Sequence, residues 1–315
     1  MQKLKSKNNF KNIYYFWACD YSKISGEGLL ANLFIKNFKN INKRIKVLTV
    51  DNLNIKNNKI KNLLKYKYIT PFFGILVCWY FFLKGKKVGY LNYLPFWNFI
   101  LFLSLPPNII LGPVTGGAKF NKRYQFLIRK YLFHIFYKLS EIIIFIRNKK
   151  IYFATDLLKK KLNKYTISNS KFNFVFKKIN INKNISFKEK KIDFLIYYKN
   201  HKNKNIRFPY EFIKKLIYLN YKVYVVGDHL EIIGIKNLGY ISNEKINSIL
   251  KKTFFTVSSN ENLYSIFNLE CINNKVKIIT REKNINIKYF KSNYLHLNKY
   301  IFKNIKNFIN KNKSN

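Results

Sequence analysis

The sequence predicts an α/β protein in which two doubly wound domains follow one another, and three observations support this fold class. Short apolar runs rich in aromatic and β-branched residues, typical of buried strands, alternate with segments whose apolar residues recur at helical spacing. The alternation stops in a Lys- and Asn-rich interval, residues 164–190, and then begins again. At 315 residues the chain is long enough for two domains, each with its own core.

We therefore predict a first domain over residues 1–175, a second over 176–297 and a basic C-terminal helix over 298–315. Such alternation forms parallel sheets with helices on both faces. The predicted strands of the first domain are 12–19, 44–50, 88–93, 108–114 and 151–154, and its helices are 29–38, a segment after Pro71, 96–103, 123–147 and one beginning at Asp156. The predicted strands of the second domain are 193–198, 222–226, 238–240, 253–257 and 276–279, and its helices are 210–219, 242–250 and 263–272.

The net charge is +46, from 60 Lys and Arg against 14 Asp and Glu. A charge of this size is typical of proteins that bind nucleic acid or anionic membranes. The lysines are nevertheless spread almost evenly, as AT-rich coding would produce, whereas a nucleic-acid binder usually concentrates them on one stripe. We interpret the charge as compatible with anionic ligands and membrane surfaces, and we expect no nucleic-acid partner.

The number and spacing of the cysteines and histidines argue against disulfide bonds and against a structural metal site. Cys19, Cys78 and Cys271 are far apart in apolar sequence, which favours a reducing compartment over a disulfide framework. The four histidines are too scattered for a metal site, and His134 is interpreted as structural. The longest uncharged apolar stretch, 69–83, would be about 20 Å long as a helix, whereas a bilayer core is about 30 Å thick. We expect a cytoplasmic protein without a signal peptide or transmembrane segment.

Residues 253–281 read as a strand, a polar loop, an amphipathic helix and a second strand. This pattern places Glu261 and Asn262 at the helix N-terminus and Glu270 two turns further along. A helix that starts at the carboxyl end of a parallel strand has unpaired N–H groups and a positive dipole end, which suit phosphate or sugar hydroxyls. An ordinary crossover helix with an acidic first turn is the alternative interpretation.

Three further segments lie at predicted strand ends. The first is Ser25-Gly26-Glu27-Gly28, a glycine-rich turn in which the backbone can approach a ligand closely. The second runs from Tyr198 to Lys204 and carries lysines at 199, 202 and 204. The third pairs a Val-Val-Gly-Asp strand end, residues 225–228, with the later loop 237–242.

Taken in their order along the chain, these three segments and residues 253–281 resemble the retaining, nucleotide-sugar-dependent glycosyltransferases of the GT-B fold, specifically family 4, also called glycosyl transferases group 1. The resemblance covers most of residues 12–281. It implies two Rossmann-like domains that face each other across a cleft. It also implies an enzyme of the hexosyltransferase type (EC 2.4), which moves a sugar from a nucleoside-diphosphate donor to a glycan or lipid-linked acceptor with retention. Such enzymes commonly serve bacterial surface polysaccharide or lipopolysaccharide synthesis.

The resemblance also implies catalytic residues. Lys199 and Lys204 match a basic pair, commonly Arg and Lys, that contacts the diphosphate of the leaving nucleotide, where negative charge grows as the glycosidic bond breaks. Lys in place of Arg keeps the charge but loses the bidentate fork. The family has two glutamates separated by seven residues, and Glu270 matches the second. The first falls on Asn262, with Glu261 one residue early, so the sugar-facing position carries an amide or a shifted carboxylate.

Donor-binding roles follow from the same resemblance. Glycines of the first segment would approach the diphosphate, the third segment would border the base, Ser265 would donate to phosphate and Glu270 would face the ribose. The implied donor-binding residues are Gly26, Gly28, Gly227, Tyr240, Ser265 and Glu270. No cofactor and no metal are expected, because cationic side chains and helix ends replace the metal in this fold.

The acceptor is expected in the first domain, where Asn92-Tyr93 and Thr115-Gly116-Gly117 end two predicted strands. Anionic lipid on the inner face of the cytoplasmic membrane is a further expected partner for the apolar helix after Pro71 and for the helix 123–147. Core packing is the alternative for both helices. Two other functions stay open from the sequence: a basic nucleic-acid-binding protein, and a GT-B module that binds nucleotide but is catalytically inactive.

Overall fold

The computed structural model describes most of the chain. The described residues are 13–22, 25–41, 44–66, 68–92, 94–116, 127–147, 150–156, 158–175, 185, 187–200, 208–258, 264–281, 291, 293–297 and 302–313. They form two compact units, Met1–Lys177 and Lys178–Asn315. Each unit is an α/β domain built on one parallel sheet.

The first unit alternates strands and helices from its first described residues. Its strands are β1 (Tyr14–Ala18), β2 (Ile45–Leu48), β3 (Lys87–Leu91), β4 (Ile110–Val114), β5 (Ile151–Phe153) and β6 (Ser170–Lys171). Its helices are α1 (Gly26–Lys39), α2 (Asn58–Leu64), α3 (Thr70–Leu83), α4 (Phe99–Ser104), α5 (Leu127–Arg147) and α6 (Lys164–Ser168), with short 3-10 turns at Val50–Asn52 and Lys159–Lys161.

The sheet of the first unit has the strand order β2-β1-β3-β4-β5-β6. One face packs against α1 through an aromatic core that includes Phe16, Phe34 and Phe38. The other face packs against α3, α4 and α5 through a second core that includes Trp17 and Tyr90. Strands β1, β4 and β5 are continuous apolar runs, because a parallel sheet covered on both faces buries both sets of side chains.

The second unit has the same layered plan. Its strands are β7 (Ile192–Tyr198), β8 (Val223–Gly227), β9 (Lys236–Asn237), β10 (Thr253–Val257), β11 (Lys277–Thr280) and β12 (Tyr294–His296). Its helices are α7 (Tyr210–Tyr218), α8 (Asn243–Lys251), α9 (Ile266–Asn273) and α10 (Phe302–Lys313), and a 3-10 turn covers Phe187–Glu189.

The second sheet has the order β12-β11-β10-β7-β8-β9, with all described pairs parallel. On one face, Phe194 and Ile196 of β7 pack against Phe212 of α7 and Ile305 of α10. Helices α8 and α9 pack beside β10 and β11. The α/β class with two Rossmann-like domains, predicted from the alternation of apolar patterns, is confirmed by these two parallel sheets.

Several predicted boundaries are wrong, and local chemistry explains each difference. Helix α1 begins at Gly26 instead of residue 29, because the Ser25 hydroxyl accepts a hydrogen bond from the Gly28 N–H and caps it. Helix α9 begins at Ile266 instead of residue 263, because Ser265 caps it in the same way through the Asn268 N–H. The expected strand at 238–240 is displaced to Lys236–Asn237.

The helix predicted to begin at Asp156 is also wrong. A 3-10 turn at Lys159–Lys161 occupies its place, and α6 follows only at Lys164–Ser168. Asn163 caps α6 by accepting from the Thr166 N–H at 2.7 Å, which divides the segment into two short pieces. The basic C-terminal helix was predicted correctly, and it spans Phe302–Lys313.

Within the described residues, every helix is too short or too polar to cross a lipid bilayer.

Candidate functional site

The strand order of the second sheet reverses between β7 and β10. From β7 the chain continues through β8 and β9 on one side and through β10, β11 and β12 on the other. In open α/β sheets, ligands bind outside the carboxyl ends of the strands at such a reversal. A small cavity of about 10 Å³, enough for about one water, lies there, and it is lined by residues of β7, β10 and the start of α9.

Asp228 organises one side of this edge. It directly follows β8, and its carboxylate accepts hydrogen bonds from the Tyr240 hydroxyl at 2.5 Å and from the Asn200 N–H at 2.6 Å. These two hydrogen bonds, with a smaller effect from the nearby Lys199 ammonium, lower the pKa of Asp228. The loop after β7 is therefore tied to the end of β8 at Asn200, the residue that follows the exposed Lys199.

Tyr240 and Gly227 support the same junction. The hydrogen bond to Asp228 is the main reason that the pKa of Tyr240 rises to about 12, and the ring stays exposed. Gly227 has a φ of 107°, and a Cβ on it would lie 2.1 Å from the Tyr198 carbonyl oxygen. Only glycine allows this close approach, so Gly227 is required for the packing of β8 against β7.

The start of α9 forms the other side of the edge. The Ser265 hydroxyl accepts from the Asn268 N–H at 3.1 Å, and none of the described residues accepts its proton, which can therefore be donated to a ligand. The buried Asn268 amide donates to the Ser258 hydroxyl and to the Tyr294 hydroxyl, both at 2.9 Å. These bonds fix the helix N-terminus against the ends of β10 and β12, with its positive dipole end at the reversal point.

Glu270 lies in the second turn of α9. Among the described residues, no donor is recorded for its half-buried carboxylate, and burial raises its pKa to about 7. Phe267 and Glu270 are three residues apart and so share a helix face. The Phe267 ring packs on Tyr197, with 5.7 Å between ring centroids. Burial and then the Asp228 carboxylate raise the pKa of Tyr197, so the Tyr197 ring lies near the Asp228 junction.

The glycines of the first unit have different surroundings. Both lie in the first turn of α1, where Ser25 is the cap and its hydroxyl donates to the Asp20 carboxylate. A Cβ on Gly28 would lie 2.2 Å from the Ser22 carbonyl oxygen, whereas one on Gly26 would meet nothing within 4 Å. Gly28 therefore permits the loop after β1 to pack on the helix, and Gly26 leaves the first turn open.

Asn92 follows β3 and closes the reversal point of the first sheet. It is 1% exposed, and its amide donates to the Asp20 carbonyl at 2.8 Å and to the Glu27 carbonyl at 2.7 Å. This side chain holds the loop after β1 and the start of α1 together. The contact of Asn92 with an acceptor stays a prediction. Tyr93, which was predicted to line the acceptor site with it, and Gly117 lie outside the described residues.

A larger cavity of about 330 Å³ lies at the carboxyl ends of β1 and β2. Asp20 and Ser22 line it from one strand end, and Thr49 and Asp51 from the other, while Lys65 forms an ion pair with Asp51 at 2.5 Å. Carboxylates, hydroxyls and an ammonium group around one cavity suit a ligand rich in hydroxyls. Sequence reasoning missed this cavity, although acidic residues directly after β1 and near the end of β2 were a signal for it.

Three predicted catalytic residues, Lys204, Glu261 and Asn262, lie outside the described residues. Helix α9 begins at Ile266 and Ser265 occupies its capping position, whereas the prediction for Glu261 and Asn262 falls on residues outside the described part of the chain. His134 lies on α5 with an exposed side chain. No group of three or more described His, Cys, Asp or Glu side chains is arranged to hold a metal ion.

Comparisons with solved structures identify the fold. The chain is similar to WaaG, a glycosyltransferase involved in lipopolysaccharide biosynthesis, with a TM-score of 0.50 and 10% identity over 96% of this chain and 91% of that one. It also matches the UDP-GlcNAc 2-epimerase from Neisseria meningitidis, with a TM-score of 0.46 and 10% identity over 96% and 93%. No protein-family model matches the sequence, and no curated protein matches it. The likeness to WaaG shows a shared GT-B type of fold with two Rossmann-like domains.

Proposed function

We propose that this protein is a nucleotide-sugar-dependent glycosyltransferase of the GT-B class. Its second unit binds a nucleoside-diphosphate sugar, and its first unit binds a glycan or lipid-linked acceptor. The fold shared with a lipopolysaccharide glycosyltransferase supports this class. We further propose that it retains the anomeric configuration, as family 4 enzymes do, and that it acts in bacterial surface polysaccharide or lipopolysaccharide synthesis at the inner face of the cytoplasmic membrane.

The observation that carries the proposal is the reversal point of the second sheet. It combines a helix N-terminus with a free hydroxyl proton at Ser265, a cation at Lys199, and an aromatic hydroxyl at Tyr240 held by Asp228. A diphosphate is attracted by the helix dipole and the ammonium group, and a base can lie against the exposed Tyr240 ring. One edge of the sheet thus offers a partner for each part of a nucleoside diphosphate.

Glu270 provides the partner for the ribose. A buried carboxyl group that accepts no hydrogen bond from the described residues gains hydrogen bonds when vicinal hydroxyls arrive, and these bonds stabilise its ionised form. Its pKa, raised to about 7 by burial in the unliganded protein, therefore falls on nucleotide binding. The nucleotide consequently binds more tightly above pH 7, where the carboxylate is already ionised.

In the transfer step, the bond between the anomeric carbon and the diphosphate breaks, and its electron pair leaves with the diphosphate. The acceptor hydroxyl forms the new bond on the same face of the sugar, and its proton passes to the departing diphosphate oxygen. Lys199, together with Lys204 in the same proposal, stabilises the charge that grows on the leaving group. A cation about 4 Å from a phosphate oxygen contributes roughly 4 kcal/mol at an effective dielectric constant near 20.

The acceptor site is proposed at the carboxyl edge of the first sheet, in the cavity lined by Asp20 and Asp51. Carboxylates accept hydrogen bonds from sugar hydroxyls, and the cavity volume of about 330 Å³ is in the range for a small ligand. Substitution of Asp20 would also release Ser25 and disturb α1. Asp51→Asn is therefore the more informative acceptor variant.

A thermal-shift screen against UDP, GDP, ADP and CMP, followed by transfer assays with the matching nucleotide sugars, tests the proposal. We expect one nucleotide to raise the melting temperature and its sugar conjugate to be hydrolysed or transferred. Glu270→Gln and Lys199→Ala should weaken nucleotide binding about tenfold each, the loss of roughly one polar contact. Glu211→Gln and Lys251→Ala, both exposed on helices away from the site, are the matched controls.

The outcomes separate the alternatives. Binding of a nucleotide without hydrolysis or transfer would identify the inactive GT-B module. Full activity in a Lys199→Ala, Glu270→Ala double variant would refute the site assignment while leaving the class intact. Absence of any nucleotide binding, with submicromolar affinity for RNA at physiological salt, would favour the nucleic-acid-binding protein.

A further inference from the structure

One long interval of the first unit contains no acidic residue. Between Asp51 and Glu141 the sequence has 14 Lys and Arg and neither Asp nor Glu. The interval includes α2, α3, α4 and most of α5. The 14 acidic residues of the chain therefore all lie outside it. Lys65 and Lys138 form ion pairs with the flanking Asp51 and Glu141, and the interval as a whole keeps a large excess of positive charge.

The same interval carries most of the exposed large apolar side chains of the described residues. On α3, the exposed fractions are 66% for Phe72, 66% for Leu76 and 77% for Leu83, and Tyr80 is also exposed. These positions, at i, i+4, i+8 and i+11, fall within an arc of about 80° on the helix. Helix α3 is thus apolar on both sides: Cys78 is buried against the sheet, and the opposite side faces solvent.

The apolar surface continues across the neighbouring helices. The Trp79 indole N–H of α3 donates to the Ser104 carbonyl at the end of α4 at 2.8 Å. Phe99 of α4 packs on Phe136 of α5, with 5.3 Å between ring centroids. The outer sides of α4 and α5 expose Ile100, Leu103, Ile135, Leu139 and Ile142. We call the outer surface of α3, α4 and α5, with these residues and those of α3, the apolar face.

Lysines flank the apolar face at both ends of α3. Lys59 and Lys61 lie in α2, and Lys84 and Lys86 follow the last residues of α3. Soluble proteins rarely expose an apolar surface that spans three helices, and such a surface indicates a binding partner. A partner that fits must offer an apolar interior next to negative charge.

We propose that the apolar face docks on an anionic lipid bilayer, with Phe72, Leu76 and Leu83 inserted at the boundary between headgroups and acyl chains. The flanking lysines then lie at the level of the anionic headgroups. A second copy of the chain fits less well, because it would bring the same lysines against each other. Docking needs neither donor nor acceptor, so its test is independent of sugar transfer, although it would place the enzyme beside a lipid-linked acceptor.

The experiment is co-sedimentation of the full chain with vesicles of phosphatidylcholine, with and without phosphatidylglycerol. We expect binding to the anionic vesicles that weakens with salt, and little binding to the neutral ones. Leu76→Ser with Leu83→Ser, and separately Lys84→Gln with Lys86→Gln, should each lower the partition coefficient about tenfold. The changed side chains of the first pair are exposed, and the melting temperature of each variant reports its folding.

Matched controls change equally exposed side chains elsewhere. Ile41→Ser with Ile233→Ser removes two exposed apolar residues outside the apolar face, and Lys251→Gln with Lys252→Gln removes two exposed lysines of the second unit. Both control pairs should bind vesicles as the unchanged protein does. Equal binding of the unchanged protein to neutral and anionic vesicles would overturn the proposal, and this measurement depends on no variant. Self-association that is lost in the Leu76, Leu83 variant while vesicle binding persists would overturn it in favour of a second copy.

Discussion

Glu270 shows how one residue connects the fold with the proposed chemistry. Its carboxyl group sits in the second turn of α9, where burial removes water from the charged form and raises the pKa from 4.5 to about 7. A surface glutamate at the end of a similar helix would stay ionised at neutral pH. The burial therefore has a cost in stability, which is typical of residues retained for binding.

The stability cost of burying the Glu270 carboxylate predicts that the free energy of unfolding depends on pH. Below pH 4.5 the carboxyl is protonated in both states, and between about 4.5 and 7 only the unfolded chain releases the proton. Folding stability is therefore lost as the pH rises through this window, by up to about 3 kcal/mol. Glu270→Gln should be more stable than the unchanged protein at pH 8 and closer to it at pH 5. Urea unfolding at both pH values measures this, with Glu211→Gln as control; equal differences at both values would contradict the burial of Glu270.

Gly28 and Gly26 form a matched pair for a second prediction. A Cβ at position 28 would lie 2.2 Å from the Ser22 carbonyl oxygen, and one at position 26 would meet nothing within 4 Å. Gly28→Ala should therefore destabilise the protein by about 2 to 3 kcal/mol, since backbone must move, whereas Gly26→Ala should be neutral or slightly stabilising in the first helical turn. Thermal or urea unfolding of the two variants gives the comparison, and equal effects would show that the loop after β1 does not pack as described.

At the scale of an element, α9 owes its position to Asn268. The helix has only 8 residues, so its own propensity cannot hold it in place. The buried Asn268 amide connects it to the Ser258 hydroxyl after β10 and the Tyr294 hydroxyl of β12. The hydrogen bonds of Asn268 therefore also fix the positions of Ser265 and Glu270, which lie at the start and in the second turn of the same helix.

Asn268→Ala should consequently destabilise the second unit and weaken nucleotide binding together. We expect a loss of about 2 to 3 kcal/mol in the free energy of unfolding, because the Ser258 and Tyr294 hydroxyls each lose the hydrogen bond that this amide donates. Ser248→Ala, which changes an exposed hydroxyl on α8, serves as the control. Denaturant unfolding combined with nucleotide titration measures both effects. A variant with normal stability and weakened binding would instead place Asn268 in direct contact with the ligand.

At the scale of the whole molecule, the net charge is +46. The lysines are spread evenly along the chain, but the acidic residues are not. The interval between Asp51 and Glu141 has 14 Lys and Arg and no acidic residue, whereas most acidic residues of the chain lie in the second unit. A uniform excess of lysine gives weak attraction to any polyanion. The apolar face, which has no acidic residues beside it, directs the attraction to an anionic bilayer, because apolar insertion and the attraction of the lysines to the headgroups occur on the same surface.

This distinction predicts how the protein responds to RNA. We expect non-specific binding at low salt that falls by about a thousandfold between roughly 50 mM and 200 mM salt, since only phosphate contacts are involved. Fluorescence anisotropy with two unrelated RNA sequences measures the slope, and equal affinities for both sequences are the control for specificity. Sequence-dependent, salt-resistant binding would contradict the glycosyltransferase proposal.

Much of the fold could be predicted from the sequence because its signals are local. The continuous apolar runs of β7, β8 and β10 and the 3.6-residue period of the apolar residues in α7 and α8 are both visible in consecutive residues. Boundaries were predicted less well where one hydroxyl decides them: Ser25 and Ser265 each set a helix start through a single hydrogen bond. The sequence does not show which of several nearby serines takes that role.

What the sequence alone determined about this protein is the α/β class, the two-domain plan, the basic amphipathic C-terminal helix and the acid-free interval, because composition and period are properties of consecutive residues. What only the tertiary structure decided is which side chains meet. Lys190 is buried with its ammonium bonded to the Thr253 and Asn274 carbonyls, and Asp228 binds Tyr240 and the backbone of residue 200. The exposure of Phe72, Leu76 and Leu83 was also decided there, because burial depends on what the rest of the chain leaves uncovered.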